Sequence, residues 1–213
     1  MNDKATANFV TAFEAAGNEL PGAGSWLARR RESAIKAFAE AGLPHRRLEE
    51  WKYTDLRQAL DKAAFVPAPA HKGAVILPET PAAAAFAGIG AHKIVFVNGR
   101  FHEGLSDAAH LPKGVELHRL ADVLSEQWAK ALIERRMDEA RQAENIVELN
   151  TALMADGMAL RIRKGVTLDK PLHLVFVAAD AGASHTRNLV LLEEGAEASI
   201  LESHFGGKAA LAD

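Results

Sequence analysis

The stretch LRIRKGVTL at Leu160–Leu168 returns as VLLEEGAEA at Val190–Ala198, at an offset of 30 positions. Each copy consists of a strand-like stretch, a charged pair, a glycine and a second strand-like stretch. The glycine permits a sharp corner, and the small or apolar residues two apart after it can point into a narrow interior. Stacked turns of a parallel β-helix would give this pattern, and so would two ordinary hairpins. The repeat by itself leaves both architectures open.

The distribution of apolar residues divides the chain into three segments. Residues 1–62 are predicted to form a helical N-terminal domain, and residues 63–156 a mixed strand and helix segment with an Ala/Pro-rich start. After Gly157 the apolar period changes from about 3.6 to about 2, which is typical of strands. Residues 157–213 are therefore expected to begin a right-handed parallel β-helix that is incomplete in this chain. The expected fold class is α+β.

Local signals predict where several elements begin and end. Ser25 is a good N-cap for an amphipathic helix that should stop at Gly42. The apolar run Ile94–Val97 predicts a strand, and the Asn-Gly pair that follows predicts a tight hairpin turn. Asp122 is expected to cap a later helix.

Composition excludes several classes of protein. The 213 residues carry a formal net charge of -3, with the basic residues scattered along the chain, so nucleic acid is not an expected partner. Cysteine is absent, which removes disulfides, a thiol nucleophile and the thiolates that usually hold iron-sulfur clusters. No apolar run approaches the roughly 20 residues that span a bilayer. A cytoplasmic protein with no membrane association is expected.

A search for catalytic motifs finds none in the sequence. The fragment Gly206–Ala209 lacks the first glycine and the hydroxyl of a phosphate-binding loop. Glu202 and His204 are two apart on an expected strand, so they share a face and could offer an oxygen and a nitrogen to a metal; the alternative is a solvated pair. Three other histidines are expected on the surface or in loops: His102, His110 and His118. We assign no catalytic, cofactor-binding or metal-binding residue and predict that the chain is not an enzyme.

The densest polar and aromatic segment is HRRLEEWKYTDL at His45–Leu56. Basic and aromatic residues interleaved in this way can bind nucleobases, but the acidic pair Glu49-Glu50 argues against that function. The alternative is structural. In that interpretation Trp51 and Tyr53 anchor the turn after the helix, while the charged residues pair locally.

This segment and the preceding GLP at Gly42–Pro44 resemble a signature of the SufB/SufD family of iron-sulfur cluster assembly proteins, in particular its SufD branch. Further matches follow in the same order along nearly the whole chain: VFVNGRF at 95–101, LNTAL at 149–153, KGV at 164–166, KPLHL at 170–174 and LEEGA at 192–196.

The resemblance implies a helical N-terminal domain that leads into a parallel β-helix. It also implies a non-catalytic scaffold subunit that pairs with SufB and with the ATPase SufC in the SUF complex, on which iron-sulfur clusters are built. The complex would handle the cluster, and no cofactor is expected on this chain. Family members continue well past this length, and the histidine implicated in cluster assembly lies in that further part. No functional residue of the family is therefore carried over to a position here.

Other interpretations remain at this point. Within the family the alternative is a SufB-like paralogue. From a different class, a β-helix carbohydrate-active enzyme or acyltransferase would need clustered carboxylates or hexapeptide-like repeats, and neither is visible in the sequence. A stand-alone adaptor is a third possibility. Because a second turn of a solenoid would leave an uncapped end, we also expect either self-association, cover by another chain, or a longer parent protein.

Overall fold

The helices form where the sequence combines caps with apolar stripes. The computed structural model describes residues 4–60, 68, 75, 86, 88–108, 110–139 and 145–206. The helices in this part of the chain are α1 (Lys4–Ala16), α2 (Trp26–Ala41), α3 (Leu56–Leu60), α4 (Gln127–Glu139) and α5 (Asn145–Leu153). Short 3₁₀ turns occur at Gly17–Glu19, Glu49–Trp51, Glu103–Leu105 and Leu120–Val123.

Helix α2 begins and ends where the sequence predicts. The Ser25 Oγ accepts a hydrogen bond from the Leu27 N–H at 3.2 Å. At the other end the Gly42 N–H donates to the Phe38 carbonyl at 2.7 Å. Gly42 has a φ of 73°, a conformation that favours glycine and stops the helix.

Helix α4 begins later than the sequence predicts. Asp122 does not cap it, because Leu120–Val123 forms a 3₁₀ turn and the helix starts only at Gln127. Three apolar side chains of this turn region are buried in a cluster with α4: Leu120, Val123 and Leu124. Burying each of them contributes about 1.5–3 kcal/mol, whereas an N-cap contributes about 1 kcal/mol. Packing therefore decides where α4 begins.

Helices α1, α2 and α5 share one apolar cluster. The Phe9 and Phe38 rings meet edge to face with centroids 6.0 Å apart. Leu149 and Leu153 of α5 pack into the same cluster, so residues far apart in sequence build it together. The three-segment division at residues 1–62, 63–156 and 157–213 stays a prediction, and most of the Ala/Pro-rich stretch lies outside the described residues.

A buried cation joins α2 to α5. Arg31 is 3% exposed. Its guanidinium donates to four backbone carbonyls, those of Pro21, Thr151, Ala152 and Met154. Three of these lie at the carboxyl end of α5, where the helix dipole favours positive charge. Burial lowers the pKa of Arg31 to about 10, which leaves it protonated at neutral pH.

Seven strands form two sheets. The strands are β1 (His92–Val97), β2 (Arg100–Phe101), β3 (Val115–Arg119), β4 (Met158–Ile162), β5 (Leu172–Ala178), β6 (Leu189–Leu192) and β7 (Ile200–Gly206). One sheet has the order β2-β1-β5-β7 and the other β3-β4-β6. The predicted hairpin is confirmed: β1 and β2 pair antiparallel across Asn98 and Gly99, which have φ values of 49° and 76°. The mixed helices and sheets confirm the α+β class.

The two copies of the repeat stack on each other. We call β4, the Gly165 corner and β5 the inner layer, and β6, the Gly195 corner and β7 the outer layer. Strand β4 pairs parallel with β6, and β5 pairs parallel with β7. The two corner glycines have φ values of 69° and 71°, and a Cβ placed on Gly195 would lie 3.8 Å from the Gly165 Cα. Parallel pairing excludes the two-hairpin alternative. The described strands form two open sheets, so the expected right-handed parallel β-helix, even an incomplete one, is not established by them.

The outer layer is shorter at one corner. Leu160 pairs with Val190, and Thr167 forms a bridge with Glu197, both at an offset of 30. Leu172 pairs with Ile200, at an offset of 28. The inner layer therefore has two more residues between Thr167 and β5 than the outer layer has between Glu197 and β7.

The core between the two sheets is filled by alternate residues of the strands. Ile94, Leu172 and Leu174 of one sheet face Met158, Leu160 and Ile162 of the other. The residues predicted to point inward after each corner glycine also pack against this core: Val166, Leu168, Ala196 and Ala198. The intervening valines of β1 and β5 form a separate cluster on the other face of their sheet. Among the described helices, none is long and apolar enough to cross a membrane.

Candidate assembly surface

The inward positions of the outer layer are exposed, although the same positions of the inner layer are buried. Leu160 is 1% exposed and its partner Val190 is 39% exposed. Ile162 is 0% exposed and its partner Leu192 is 43% exposed. Ile200, which pairs with the fully buried Leu172, is 37% exposed. These apolar side chains line one open end of the space between the sheets. We call this end the assembly surface.

An aromatic column leads from the core to this surface. Phe96, Phe176 and His204 occupy paired positions on β1, β5 and β7. The Phe96 and Phe176 rings stack with centroids 5.2 Å apart, and Phe176 and His204 stack at 4.7 Å. Phe96 is 1% exposed, whereas the His204 side chain is 68% exposed. His204 therefore presents the free face of the column at the assembly surface.

Glu202 and His204 lie together, as their spacing predicts. The His204 Nε2 and Glu202 Oε2 atoms are 3.5 Å apart. Glu202 pairs with Leu174, and His204 pairs with Phe176. Both polar side chains therefore occupy positions whose partners in the inner layer are apolar. Within the residues the structure describes, no group of three or more His, Asp or Glu side chains could hold a metal ion. Metal binding by Glu202 and His204 stays a hypothesis from their spacing.

The charged corner of the repeat joins the two layers by ion pairs. Glu193 accepts hydrogen bonds from the Arg161 guanidinium at 2.8 Å and from the Lys164 N–H at 3.2 Å. Hydrogen bonding to Arg161, and then to the Lys164 backbone, lowers the pKa of Glu193. Arg163 bridges Glu193 and Glu116 of β3, and the hydrogen bond to Glu116 raises the pKa of Arg163. In the sequence Glu193-Glu194 is only the charged pair of the second repeat, because its ion-pair partners lie about 30 residues away.

Two histidines that the sequence analysis did not single out are built into the fold. His185 packs edge to face on Phe9, with ring centroids 5.9 Å apart, and burial lowers its pKa to about 4. The His173 Nε2 lies 2.9 Å from the Ser203 Oγ, which links β5 to β7. Burial is the main cause of the lowered pKa of His173. His173 lies inside the KPLHL match at 170–174, which gave no role to the histidine, and His185 has no motif around it, so nothing in the sequence indicated that either is built into the fold.

The three histidines expected on the surface or in loops differ from one another. His110 lies in an exposed loop, and His118 is exposed on β3. His102 lies in the loop after β2 and is partly buried, and its Nδ1 atom is buried without a hydrogen-bond partner.

The polar and aromatic segment after α2 is more exposed than the structural interpretation predicts. Tyr53 is 88% exposed, so it does not anchor the turn. The charged residues do pair locally: Lys52 Nζ lies 2.8 Å from Glu49 Oε1, and Asp55 Oδ1 accepts the Gln58 N–H at 3.1 Å. Asp55 thereby caps α3.

The sequence of this chain matches a known family over most of its length. Residues 3–174 match the family model of the SufBD protein N-terminal region. The chain is 31% identical over 185 residues to an iron-sulfur cluster assembly SufBD family protein of Synechocystis sp., which covers 84% of this chain and 39% of that protein. It is 29% identical over 176 residues to the iron-sulfur cluster assembly protein SufD of Escherichia coli, which covers 80% and 37%.

The chain thus spans less than two fifths of the length of the curated relatives it matches. The match runs from the helices through β4 and the Gly165 corner and ends within β5, at residue 174. On the family match and the two relatives, the chain belongs to the SufBD family and corresponds to its N-terminal region.

Proposed function

We propose that this chain is part of a non-catalytic scaffold subunit of the SUF iron-sulfur cluster assembly complex, in which it works with SufB and the ATPase SufC. The observation that carries the proposal is the assembly surface: Val190, Leu192 and Ile200 are exposed where the inner layer buries its equivalents. Apolar side chains in register with a regular parallel repeat favour cover by further strands. The relatives named for iron-sulfur cluster assembly supply the cellular role.

We infer that the stacking continues beyond the outer layer as a parallel β-helix. The offset of about one repeat between paired strands and the stacked corner glycines support this architecture. A further layer would cover the assembly surface and add backbone hydrogen bonds to β6 and β7, each of which has one strand neighbour among the described residues. Such a scaffold would bring subunits together and would leave the iron-sulfur cluster to the assembled complex.

The enzymatic alternatives lack support in the described residues. A β-helix carbohydrate-active enzyme would need free carboxylates close together on one layer. The Glu193 and Glu194 carboxylates are instead paired with Arg161, Arg163 and Lys164. The likeness to a relative named SufD favours the SufD branch over a SufB-like paralogue.

A capture experiment with purified SufB and SufC tests the scaffold proposal. The parent protein, extended through the remaining family region, should retain both partners on an affinity resin, and SufC should be retained with or without ATP hydrolysis. The same extended protein should lack hydrolytic activity on polysaccharides. Failure to retain either partner would contradict the proposal and would favour a stand-alone adaptor.

A matched pair of variants locates the contact. In the 213-residue chain, Leu192→Asp should place a charge on the assembly surface. If SufB or SufC adds a strand at this surface, capture of that partner should fall at least about tenfold. Ile89→Asp is the control, because Ile89 is also an exposed apolar residue, at 46%, and lies outside the two layers. Equal losses in both variants would show that the assembly surface is not the contact.

Self-association of the isolated chain follows from the same surface. Light scattering of the 213-residue chain should show a mass that increases with concentration, and Leu192→Asp should suppress the increase. A stable monomer at high concentration would argue against strand addition at this end.

A further inference from the structure

The tip of the β1-β2 hairpin is buried, although turns usually lie on the protein surface. Asn98 is 5% exposed, and Gly99 is buried as well. A Cβ placed on Gly99 would lie 2.8 Å from the Ser184 Cβ, so the turn packs closely against the link between β5 and β6. We call Asn98 and Gly99 the hairpin tip.

The Asn98 side chain joins the hairpin tip to the end of β5. Its Oδ1 accepts the N–H groups of Ala179 and Asp180, at 2.9 and 3.2 Å. Its Nδ2 donates to the Asp180 Oδ2 at 2.8 Å. The Asn98 N–H donates to the Val177 carbonyl at 2.8 Å, which continues the pairing of β1 with β5. The contact with β5 therefore uses both halves of the side-chain amide, the oxygen as an acceptor and the nitrogen as a donor.

The same two residues form the dipeptide most prone to deamidation, Asn-Gly, which occurs once in this chain. The Gly99 nitrogen loses its proton and attacks the Asn98 Cγ, the Cγ–Nδ2 bond breaks, and ammonia leaves as a succinimide ring closes. Water then adds to one of the two ring carbonyls and breaks its bond to nitrogen, which gives aspartate or isoaspartate. The net reaction consumes one water, releases ammonia and needs no oxidant or cofactor. Glycine favours the attack because it has no side chain in the way.

The folded structure opposes this reaction. The attack needs the Asn98 Cγ to turn towards the Gly99 nitrogen, whereas three hydrogen bonds hold the amide on the end of β5. We propose that Asn98-Gly99 is a protected deamidation site, which reacts slowly while the hairpin tip is packed against β5 and rapidly when the tip detaches. The deamidation rate then measures local opening of the hairpin, as the exchange rate of an amide proton does.

The products cannot restore the contact. Aspartate at position 98 keeps the acceptor oxygen but loses the Nδ2 donor, and it brings a second carboxylate within hydrogen-bond distance of Asp180. Two carboxylates this close repel each other, and the repulsion is strong where water is largely excluded. Isoaspartate also adds a methylene group to the backbone, which changes the geometry of the turn. Deamidation therefore makes the detachment of the hairpin tip permanent.

Deamidation rates test the protection. The 213-residue chain is incubated in mildly alkaline buffer, and the tryptic peptide Ile94–Arg100 is followed by mass spectrometry. The folded chain should react at least about tenfold more slowly than the urea-unfolded chain, and Asp180→Ala should speed the reaction of the folded chain severalfold. Ser203→Ala is the control, because it removes a side-chain hydrogen bond between β5 and β7, away from the hairpin tip. It should leave the rate unchanged.

An exchange of the amide and the carboxylate tests the contact itself. Asn98→Asp reproduces one product and should lower the urea midpoint of unfolding. Adding Asp180→Asn should recover most of that loss, relative to Asp180→Asn alone, because a donor and an acceptor face each other again. Asn188→Asp is the matched control, since the Asn188 Oδ1 accepts the Met158 N–H at 3.0 Å and a carboxylate oxygen can accept it equally. Its urea midpoint should stay close to that of the wild type.

Four results would overturn the proposal. Equal rates in the folded and urea-unfolded chain would show that the fold does not protect the site, and so would an unchanged rate in Asp180→Ala. A loss in Asn98→Asp that Asp180→Asn fails to relieve would show that the pair does not join the tip to β5. Absence of deamidation at Asn98 in the unfolded chain would remove the site altogether. None of these outcomes depends on the scaffold function, which is tested at the assembly surface.

Discussion

The inner and outer layers carry one sequence pattern in two environments. Leu160 and Leu192 both point into the space between the sheets, yet the first is 1% exposed and the second 43%. The inner layer has a strand on each side, with β1 and β3 before it and β6 and β7 after it. The outer layer has the inner layer on one side. The difference shows that the repeat determines which way a side chain points, while the neighbouring layer determines how far it is buried.

A substitution at the contact where the outer layer begins should cause the largest loss of stability. Gly157 lies against the start of the outer layer, and a Cβ at this position would lie 1.9 Å from the Arg187 carbonyl oxygen. Gly157→Ala should therefore force the layers apart and cost about 4 kcal/mol or more. Gly165→Ala is the control: nothing lies near its Cβ position, and only its φ of 69° is unfavourable, at about 1–2 kcal/mol. Urea unfolding followed by circular dichroism measures both, and equal losses would contradict the stacking at Gly157.

Truncating a leucine to alanine in each layer should cost very different amounts of stability. Leu160→Ala should lower the free energy of unfolding by about 2–5 kcal/mol, because the side chain is fully enclosed. At protein concentrations too low for self-association, Leu192→Ala should lower it by about 1 kcal/mol or less, because the side chain then lies partly in water. The same urea experiment gives both values. If Leu192→Ala proved as costly as Leu160→Ala, the outer layer would have to be covered in solution.

The connection between the layers should make stability depend on pH. His185 lies in the link between β5 and β6, and burial against Phe9 lowers its pKa to about 4. Well above pH 6.5 it is neutral in both states, so it has no effect. As pH falls below 6.5 the unfolded chain binds a proton that the folded chain resists until about pH 4, so stability is lost with acidification.

Between pH 7 and pH 5 this loss should amount to about 2 kcal/mol. His185→Leu should remove that part of the pH dependence, as measured by urea midpoints at both pH values. His110→Leu, at an exposed loop position, should keep it. A wild-type midpoint that does not change with pH would show that His185 is protonated as easily in the folded protein as in the unfolded chain.

The ion pairs between the corners should have the smallest effect. Glu193→Gln should lower the melting temperature by less than Leu160→Ala does, because the side chains of the cluster are partly exposed and screened by water. The pKa of Glu193 is lowered, so its stabilisation is present above the ordinary carboxylate pKa and is lost as pH falls through the lowered value. The difference from wild type should therefore shrink in acid. Glu194→Gln, in a pair that is mostly exposed, should have no measurable effect.

Local sequence signals predicted the elements whose determinants lie close together in the chain. The caps of α2, the hairpin after β1 and the change of period at Gly157 each depend on a few neighbouring residues, and the structure contains all three. The predicted start of α4 and the predicted anchoring role of Tyr53 were wrong. A local sequence pattern does not show how deeply neighbouring side chains are buried. The corner partners of Glu193 and the burial of His185 had no local signal at all.

The repeat, the corner glycines and the inward alternation can be read from local sequence, because they follow from backbone freedom at glycine and from the two-residue period of a strand. The sequence also contained the family signature that the comparisons support. Only contacts in the folded chain settle that the repeats pair in parallel and that His204 ends an aromatic column. Those features depend on contacts between residues tens of positions apart, and such contacts exist only once the layers have stacked.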